Sequence, residues 1–418
     1  MLVCVNPDSS SAPELELEVG AVAHGGVFVA RHEGRVVFVA DALPGETVRA
    51  RVVDSSKESF WRADALDVLV PSEDRQPHIW AEAGIDRDPS ERVGGAEFGH
   101  IAPARQRTLK AEVLLDSLRR FGRVDTTGSA ASVEALPGET DGTGWRTRVR
   151  LHADSDGLIG PYVARSHTVV ATRTLPLAAP ALREVAPVGQ RIPGSPGLDL
   201  IATSTGDVRV VPVSGAEPGA PVVEVVGDRR FELAERGFWQ VHTAAAATLS
   251  AAVRDAVQVD LFDADAANLD LYGGVGLLAA AVGDGFGRGV RITSVEADEA
   301  ATGFARTNLA DWPSADAVTA RVDRYLTGLE RSSRSALARI ARGTVVLDPP
   351  RAGAGKQVMR ALGRLRPAQL VYVACDPVAL GRDIGLARDA GYRLTALRGF
   401  DLFPNTHHVE AVATLVRE

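Results

Sequence analysis

The sequence predicts a multi-domain protein: a small N-terminal β-barrel of the OB-like kind, a central α+β domain, and a C-terminal α/β domain with a Rossmann-like sheet. Three observations carry this. A chain of 418 residues exceeds one ordinary core, so two or three domains are expected. Residues 14–71 alternate apolar and polar positions between glycine-bearing turns. From residue 233 onward short apolar runs alternate with helical segments, the pattern of a parallel sheet covered on both faces.

Residues 1–13 read as a flexible tail. Within 14–71 the alternation breaks at Gly25-Gly26, Glu33-Gly34 and Pro44-Gly45, which predicts short strands closed by tight turns into a small barrel. Such barrels commonly bind single-stranded RNA through a cationic face with interleaved aromatics. Arg31, Arg35, Arg49, Arg51, Phe60 and Trp61 are the candidates here, and a purely structural cap is the alternative. The central segment, 72–232, is mixed. LKAEVLLDSLRRFGRV has helical periodicity, with Leu109, Val113, Leu114 and Leu118 on one stripe, whereas WRTRVRLHADSDGLIGPYVARSHTVV alternates like strands. Its topology is left open. In 233–418, LDLYGG, RITSVEAD, GTVVLDPP and QLVYVACDP each place an apolar run before a polar or glycine-containing turn. Ligands of parallel sheets bind beyond the carboxyl ends of their strands.

Composition narrows the class. A hydrophobic fraction of 45% describes a globular chain, and no run approaches the roughly 20 apolar residues of a membrane span. The amino terminus has neither the positive flank nor the apolar stretch of an export signal, so a cytoplasmic protein is expected. A formal charge of −8 speaks against overall attraction to nucleic acid but leaves room for a local basic face. The only lysines are Lys57, Lys110 and Lys356; the other cations are arginines, which suit bidentate phosphate contacts and also follow from a GC-rich coding bias. Two cysteines, Cys4 and Cys375, exclude a disulfide framework and a cysteine-built zinc or iron–sulfur cage.

The chemistry-bearing residues fall at the predicted strand ends. Asp270-Leu271-Tyr272-Gly273-Gly274-Val275-Gly276 makes a glycine-rich strand-to-helix turn, where Gly274 and Gly276 let a ligand approach the backbone. Glu296 ends the next strand, where a carboxylate can accept from both ribose hydroxyls. The turn lacks the G-x-G-x-x-G spacing and the phosphate-loop pattern. This favours an adenosine cofactor without phosphate, S-adenosyl-L-methionine, over NAD. Asp323, past the third strand, lies either near the adenine amino group or simply on the surface. Asp348, in Asp348-Pro349-Pro350-Arg351, is a carboxylate on a turn that two prolines stiffen. Cys375 closes the apolar run Leu370–Ala374 at the same sheet edge. A thiolate there can add to C6 of a uracil and make C5 enolate-like, ready to accept a methyl group. Glu410 is the candidate base for the C5 proton. The target base must leave its stack to reach the thiol. Phe403 and Tyr272 are either stacking surfaces or core. His407 and His408 resemble half a metal site, but with no third ligand apparent no metal is expected.

On these residues the chain resembles the uridine-C5 RNA methyltransferase family, over nearly its whole length. Its N-terminal region is similar to a TRAM domain, and Phe238-Trp239-Gln240 to the family's FxQ segment. DLYGGVGL, VEADEAA and LDPPRAG resemble the cofactor motifs. VACDPVALGRD resembles the nucleophile segment S-C-N-P-x-T-x-x-R-D, and FDLFPNTHHVEAVATL the closing F-D-x-F-P-x-T-x-H-V-E segment. The resemblance implies a C-terminal S-adenosylmethionine-dependent methyltransferase domain. By it, Gln240, Tyr272, Glu296, Asp323 and Asp348 contact the cofactor, Cys375 is the nucleophile and Glu410 the proton acceptor. Two departures stand out. Many TRAM-bearing members carry an iron–sulfur cluster on C-G-G-C, but here Arg92–His100 has no cysteine. No cluster is expected, and packing alone should hold the region. Asp376 replaces the usual asparagine and, if turned inward, disfavours the thiolate.

The expected substrate is RNA, with 23S rRNA ahead of tRNA, acted on by a monomer. Cytosine-C5 enzymes carry a cysteine where Pro350 stands, which points to uracil. The rival outside catalysis is a protein that binds RNA without turnover.

Overall fold

The computed structural model describes residues 13–126, 132–138, 140–213 and 219–418, so Cys4 and most of the expected tail lie outside the described residues. Strands β1 (Glu14–Ala23), β2 (Val27–His32), β3 (Arg35–Ala40), β4 (Thr47–Asp54) and β5 (Phe60–Val70) close a barrel in the order β1-β2-β3-β5-β4. Alternating Leu17, Val19, Phe28, Val37, Val39, Val48 and Ala50 fill it. The turns fall where the sequence put them. Glu33 and Gly34 both have positive φ (49° and 79°), the backbone of a two-residue hairpin whose twist matches its strands. Of the expected cationic face, Arg49 and Arg51 are paired to Glu14 and Asp88, whereas Arg35 lies 4.3 Å from the Trp61 ring centroid.

Helix α1 (Pro103–Arg120) starts on a proline, which fits an N-terminal turn that needs no amide there. Its apolar stripe is divided: Leu109 enters the barrel core, while Leu114 and Leu118 enter the core beneath the C-terminal sheet. Two buried polar residues of the same helix hold the loop at 401–405. Lys110 Nζ pairs with the Asp401 carboxylate and donates to the Phe403 carbonyl at 3.0 Å. Gln106 donates to Asn405 Oδ1 and accepts from its backbone amide, both at 2.8 Å.

The short β6 (Val133–Glu134) is followed by β7 (Arg148–Ala153), β8 (Ile159–Gly160), α2 (Pro180–Val185), β9 (Gly197–Ala202) and β10 (Val208–Pro212). The last four strands make an antiparallel sheet, β10-β9-β7-β8, packed on Trp80, Trp145, Leu175 and Leu182. Hairpin β11 (Val222–Val226) and β12 (Arg229–Leu233) buries Val222, Phe231 and Leu233 against Leu249 and Val253 of α3 (Ala245–Ala256). Segment 72–232 thus shares its apolar surface among four large cores.

The stretch from Arg92 to His100, expected to be held by packing alone, is also pinned by hydrogen bonds. Val93 and Ala96, at the cysteine positions of the C-G-G-C pattern, are buried in the central core. Beside them the buried Arg92 guanidinium binds Asp41 Oδ2 at 2.7 Å and the carbonyls of Ala65, Ile85 and Arg87 at 2.9–3.0 Å.

The C-terminal sheet is built from β13 (Asn268–Leu271), β14 (Ile292–Glu296), β15 (Ala315–Thr319), β16 (Thr344–Leu347), β17 (Gln369–Ala374), β18 (Tyr392–Phe400) and β19 (Glu410–Arg417). With β6 at its edge it has the order β15-β14-β13-β16-β17-β19-β18-β6. The first five of these run parallel and β19 runs against β17. Helices α4 (Leu277–Phe286), α5 (Glu299–Asn308), α6 (Val322–Leu329), α7 (Arg334–Ile340), α8 (Gly355–Leu365) and α9 (Pro377–Asp389) complete the layers. Among the described residues no helix is long and apolar enough to cross a membrane.

Replacing Lys110 by methionine strands the Asp401 carboxylate in a dry site. Chemical denaturation is expected to show a loss of about 3–5 kcal/mol, part of which Lys110→Met/Asp401→Asn recovers. Equal losses in the single and double variants would contradict this.

Candidate active site

Strands β13, β14, β16 and β17 end at one edge of the sheet, and β19 begins there. Asp348 directly follows β16, Cys375 follows β17, and Glu410 opens β19. Because Ala374 pairs with Ala411, the next step in the antiparallel register sets Cys375 beside Glu410. These groups line a cleft of about 950 Å³ together with Gln240, Tyr272, Gly274 and Glu296. Seven of the nine proposed site residues therefore share one cleft.

The other two lie elsewhere. Gly276 has φ +91° and caps α4; a Cβ there would sit 3.1 Å from Leu309 Cγ, so the position serves the turn and its packing. Asp323 lies in an adjoining cleft that also touches Tyr272 and Glu296, and Arg321 occupies both of its oxygens at 3.1 Å. Glu296 braces the glycine turn: Oε2 accepts from the Gly274 amide at 3.2 Å, and Oε1 accepts from Ala297 and Asp298.

Burial sets the electrostatics. Cys375 is pushed up to about 12, first by burial, then by Glu410 and Asp348, with Arg351 opposing. Asp348 is raised to about 7 by burial and by Asp270. Asp270, completely buried, reaches about 7 through burial, despite hydrogen bonds from Ser294 Oγ and the Ala279 amide. Burial and Asp348 hold Glu410 well above the carboxylate range. Burial thus favours the neutral thiol and the protonated carboxyls, and an incoming positive charge favours ionising them.

Asp376 does not turn inward. Its Oδ1 accepts from the Ala379 amide at 2.7 Å and caps α9, and its Oδ2 meets His24 Nε2 of the barrel hairpin at 2.9 Å. Its effect on the thiol ranks behind those of burial, Glu410, Asp348 and Arg351. His24 also lines a small cavity that Cys375 shares, so the barrel hairpin lies beside the thiol. Sequence reasoning passed over Arg351 and Arg146, which also line the cleft, and over the carboxyl of Asp270. Arg351 lay inside a quoted motif, whereas nothing in the central segment signalled Arg146. Phe403 lines the cleft and also packs edge-on to Trp145, 6.1 Å between centroids. Among the described residues no group of three His, Cys, Asp or Glu side chains is placed to hold a metal.

Residues 225–418 match the family described as tRNA (Uracil-5-)-methyltransferase. An uncharacterized RNA methyltransferase of Streptomyces avermitilis is 36% identical, covering 96% of this chain and 98% of that protein. One from Bifidobacterium longum is 33% identical, covering 97% of each. The chain belongs to the RNA methyltransferase family of these relatives, and its C-terminal part matches the uracil-5 model. The fold agrees with a structure of Pyrococcus abyssi tRNA (uracil-54, C5)-methyltransferase in complex with S-adenosyl-L-homocysteine. That structure has a TM-score of 0.68 at 21% identity and covers 96% of this chain and 99% of its own.

The cleft of this RNA methyltransferase fits the methyl donor expected from its sequence, S-adenosyl-L-methionine. A Cβ at Gly274 (φ +53°) would meet nothing within 4 Å, so the turn leaves open room beside the backbone. The Asp348 carboxyl has no hydrogen-bond partner among the described residues and lines that space, a ready acceptor next to a positive sulfonium.

Two measurements check this electrostatic description. Alkylation of Cys375 by iodoacetamide, followed by mass spectrometry of its peptide, should be slow at pH 7 and accelerate toward pH 11; a rate that levels off below pH 8 contradicts it. Folding favours protonated Asp270, so the wild type loses stability as pH rises from about 4 through about 7, and Asp270→Asn escapes this loss. The stability advantage of the variant should therefore grow between pH 5 and pH 8, by at most about 3 kcal/mol.

Proposed function

We propose that the enzyme methylates C5 of a uridine in RNA through a transient bond between Cys375 Sγ and C6 of the base. The observation that carries this reading is the register that sets Cys375 beside Glu410, with Asp348 on the neighbouring strand end. Bound in the cleft, S-adenosyl-L-methionine supplies an electrophilic methyl group. Cys375 gives up its proton to solvent and Sγ adds to C6; the electron pair of the C5–C6 bond then takes the methyl group at C5, and the donor's carbon–sulfur bond breaks to leave a neutral thioether. After C5 is methylated, the Glu410 carboxylate takes the C5 proton, the double bond re-forms, and Sγ leaves C6. Arg351, whose charge favours both ionised groups, supports the thiolate and the carboxylate in turn.

For the RNA, 23S rRNA remains the first assignment from the sequence. The similarity to the tRNA (Uracil-5-)-methyltransferase family and to the Pyrococcus abyssi tRNA enzyme supports tRNA equally. The barrel offers Arg35 stacked on Trp61 as an RNA contact of the TRAM kind. A monomer is the working unit we propose.

Transcripts of both RNAs containing 5-fluorouridine test the chemistry. A covalent complex stable in denaturing gels is expected with the wild type and absent in Cys375→Ser. Glu410→Gln should accumulate the adduct on ordinary uridine, with turnover down by about 10²–10⁴-fold. An equal yield of adduct from Cys375→Ser would sink the mechanism. Mapping 5-methyluridine in total RNA, with and without the gene, names the target.

A further inference from the structure

We propose that the groove lined by Arg146, His152 and Tyr162 holds a nucleotide flanking the target uridine, its base against the Tyr162–His152 pair and its phosphate at Arg146. The inference rests on the RNA reading above and deepens it by assigning a second subsite.

The groove, about 340 Å³, is cut into the antiparallel sheet of the central segment, which had no function assigned to it. Its size lies in the range of small-ligand pockets. Arg146 lines both this groove and the cleft that holds Cys375, so the two spaces share a wall. An RNA strand with its uridine turned into the cleft therefore reaches the groove with an adjacent nucleotide.

The side chains suit a base and a phosphate. His152 of β7 and Tyr162 stack with ring centroids 3.6 Å apart and planes 12° from parallel. Burial and Arg150 lower the proton affinity of His152, which keeps the pair an uncharged aromatic platform at neutral pH. Neither the Tyr162 hydroxyl nor a His152 ring nitrogen has a hydrogen-bond partner among the described residues, which leaves polar groups for a base edge. The cations of the groove divide clearly. Arg150 is bidentate to Asp199 at 2.7 and 2.9 Å, and Arg165 is paired with Asp64. Arg146 has no carboxylate partner among the described residues. Its Nε donates to the Arg148 carbonyl at 3.1 Å and its guanidinium lies 5.7 Å from the Trp145 ring centroid, which leaves the two Nη atoms to meet an anion. Burial and the nearby Arg351 disfavour its charge, so a bound phosphate relieves a cost the protein bears alone.

The test uses a hairpin transcript centred on the mapped uridine, with an abasic site placed at each flanking position in turn. Wild-type protein should bind one of these transcripts about tenfold more weakly than the intact one, while base substitutions at that position change little, as stacking tolerates any base. Tyr162→Leu should lose about tenfold on the intact transcript and no longer distinguish it from the abasic one. Arg146→Gln, which spares the aromatic pair, should weaken binding and reduce the salt slope by about one. Equal binding of every abasic transcript by the wild type, or losses from Tyr162→Leu and the abasic site that simply add, would overturn the proposal. The wild-type scan needs no variant and so does not depend on any variant folding. Trapping of wild type by 5-fluorouridine RNA reports on the chemistry separately. Trapping with a flat scan removes the subsite alone; no trapping with any RNA removes the subsite and the reading beneath it.

Discussion

A fully buried lysine and aspartate, Lys110 of α1 and Asp401 of the loop before β19, sit where the barrel, the central segment and the C-terminal sheet converge. Isolated, either charge would be intolerable there; paired, and with the Phe403 carbonyl as a further acceptor, they fix the loop to the helix. Gln106 repeats the contact one turn earlier through Asn405. The same helix puts Leu109 into the barrel and Leu114 and Leu118 under the sheet, so its position relates the two bodies. The position of His408 and the start of β19 at Glu410 follow from that anchoring.

The chemistry of the cleft depends on a second constraint, the shared ends of parallel strands. Every parallel strand delivers its terminal residue to the same edge, and an antiparallel neighbour begins there. A thiol, two carboxyls and a glycine turn converge without any of them being close in sequence. Their mutual repulsion and burial hold the protons on when no cation is present. Positive charge entering such a site, as on a sulfonium donor, favours ionising these groups.

Around Arg92 the protein shows how a loop keeps its shape without thiol ligands. Val93 and Ala96 fill the space with carbon, and one guanidinium satisfies three carbonyls and the Asp41 carboxylate. Arginine suits this role because its planar donors reach several acceptors at once. The same loop supplies Glu97, which meets His407 at 3.3 Å, linking the central segment to the loop before β19.

The sequence alone determined the parts whose signal is local. Alternation and turn glycines specified the barrel, because the side-chain period of a strand and the positive φ at Gly34 are written in neighbouring residues. Motifs at strand ends specified Cys375, Asp348, Glu296 and Gly274 as candidates, because parallel strands present their ends together. Tertiary structure decided what distant residues share. It put Arg146 of the central segment into the wall of the cleft, divided the stripe of α1 between two cores, and drew hairpin β11–β12 into the C-terminal layer. It also turned Asp376 toward His24, 352 positions away in the chain, rather than toward the thiol. No periodicity records such contacts, since they depend on how separate elements pack and which buried charges find partners.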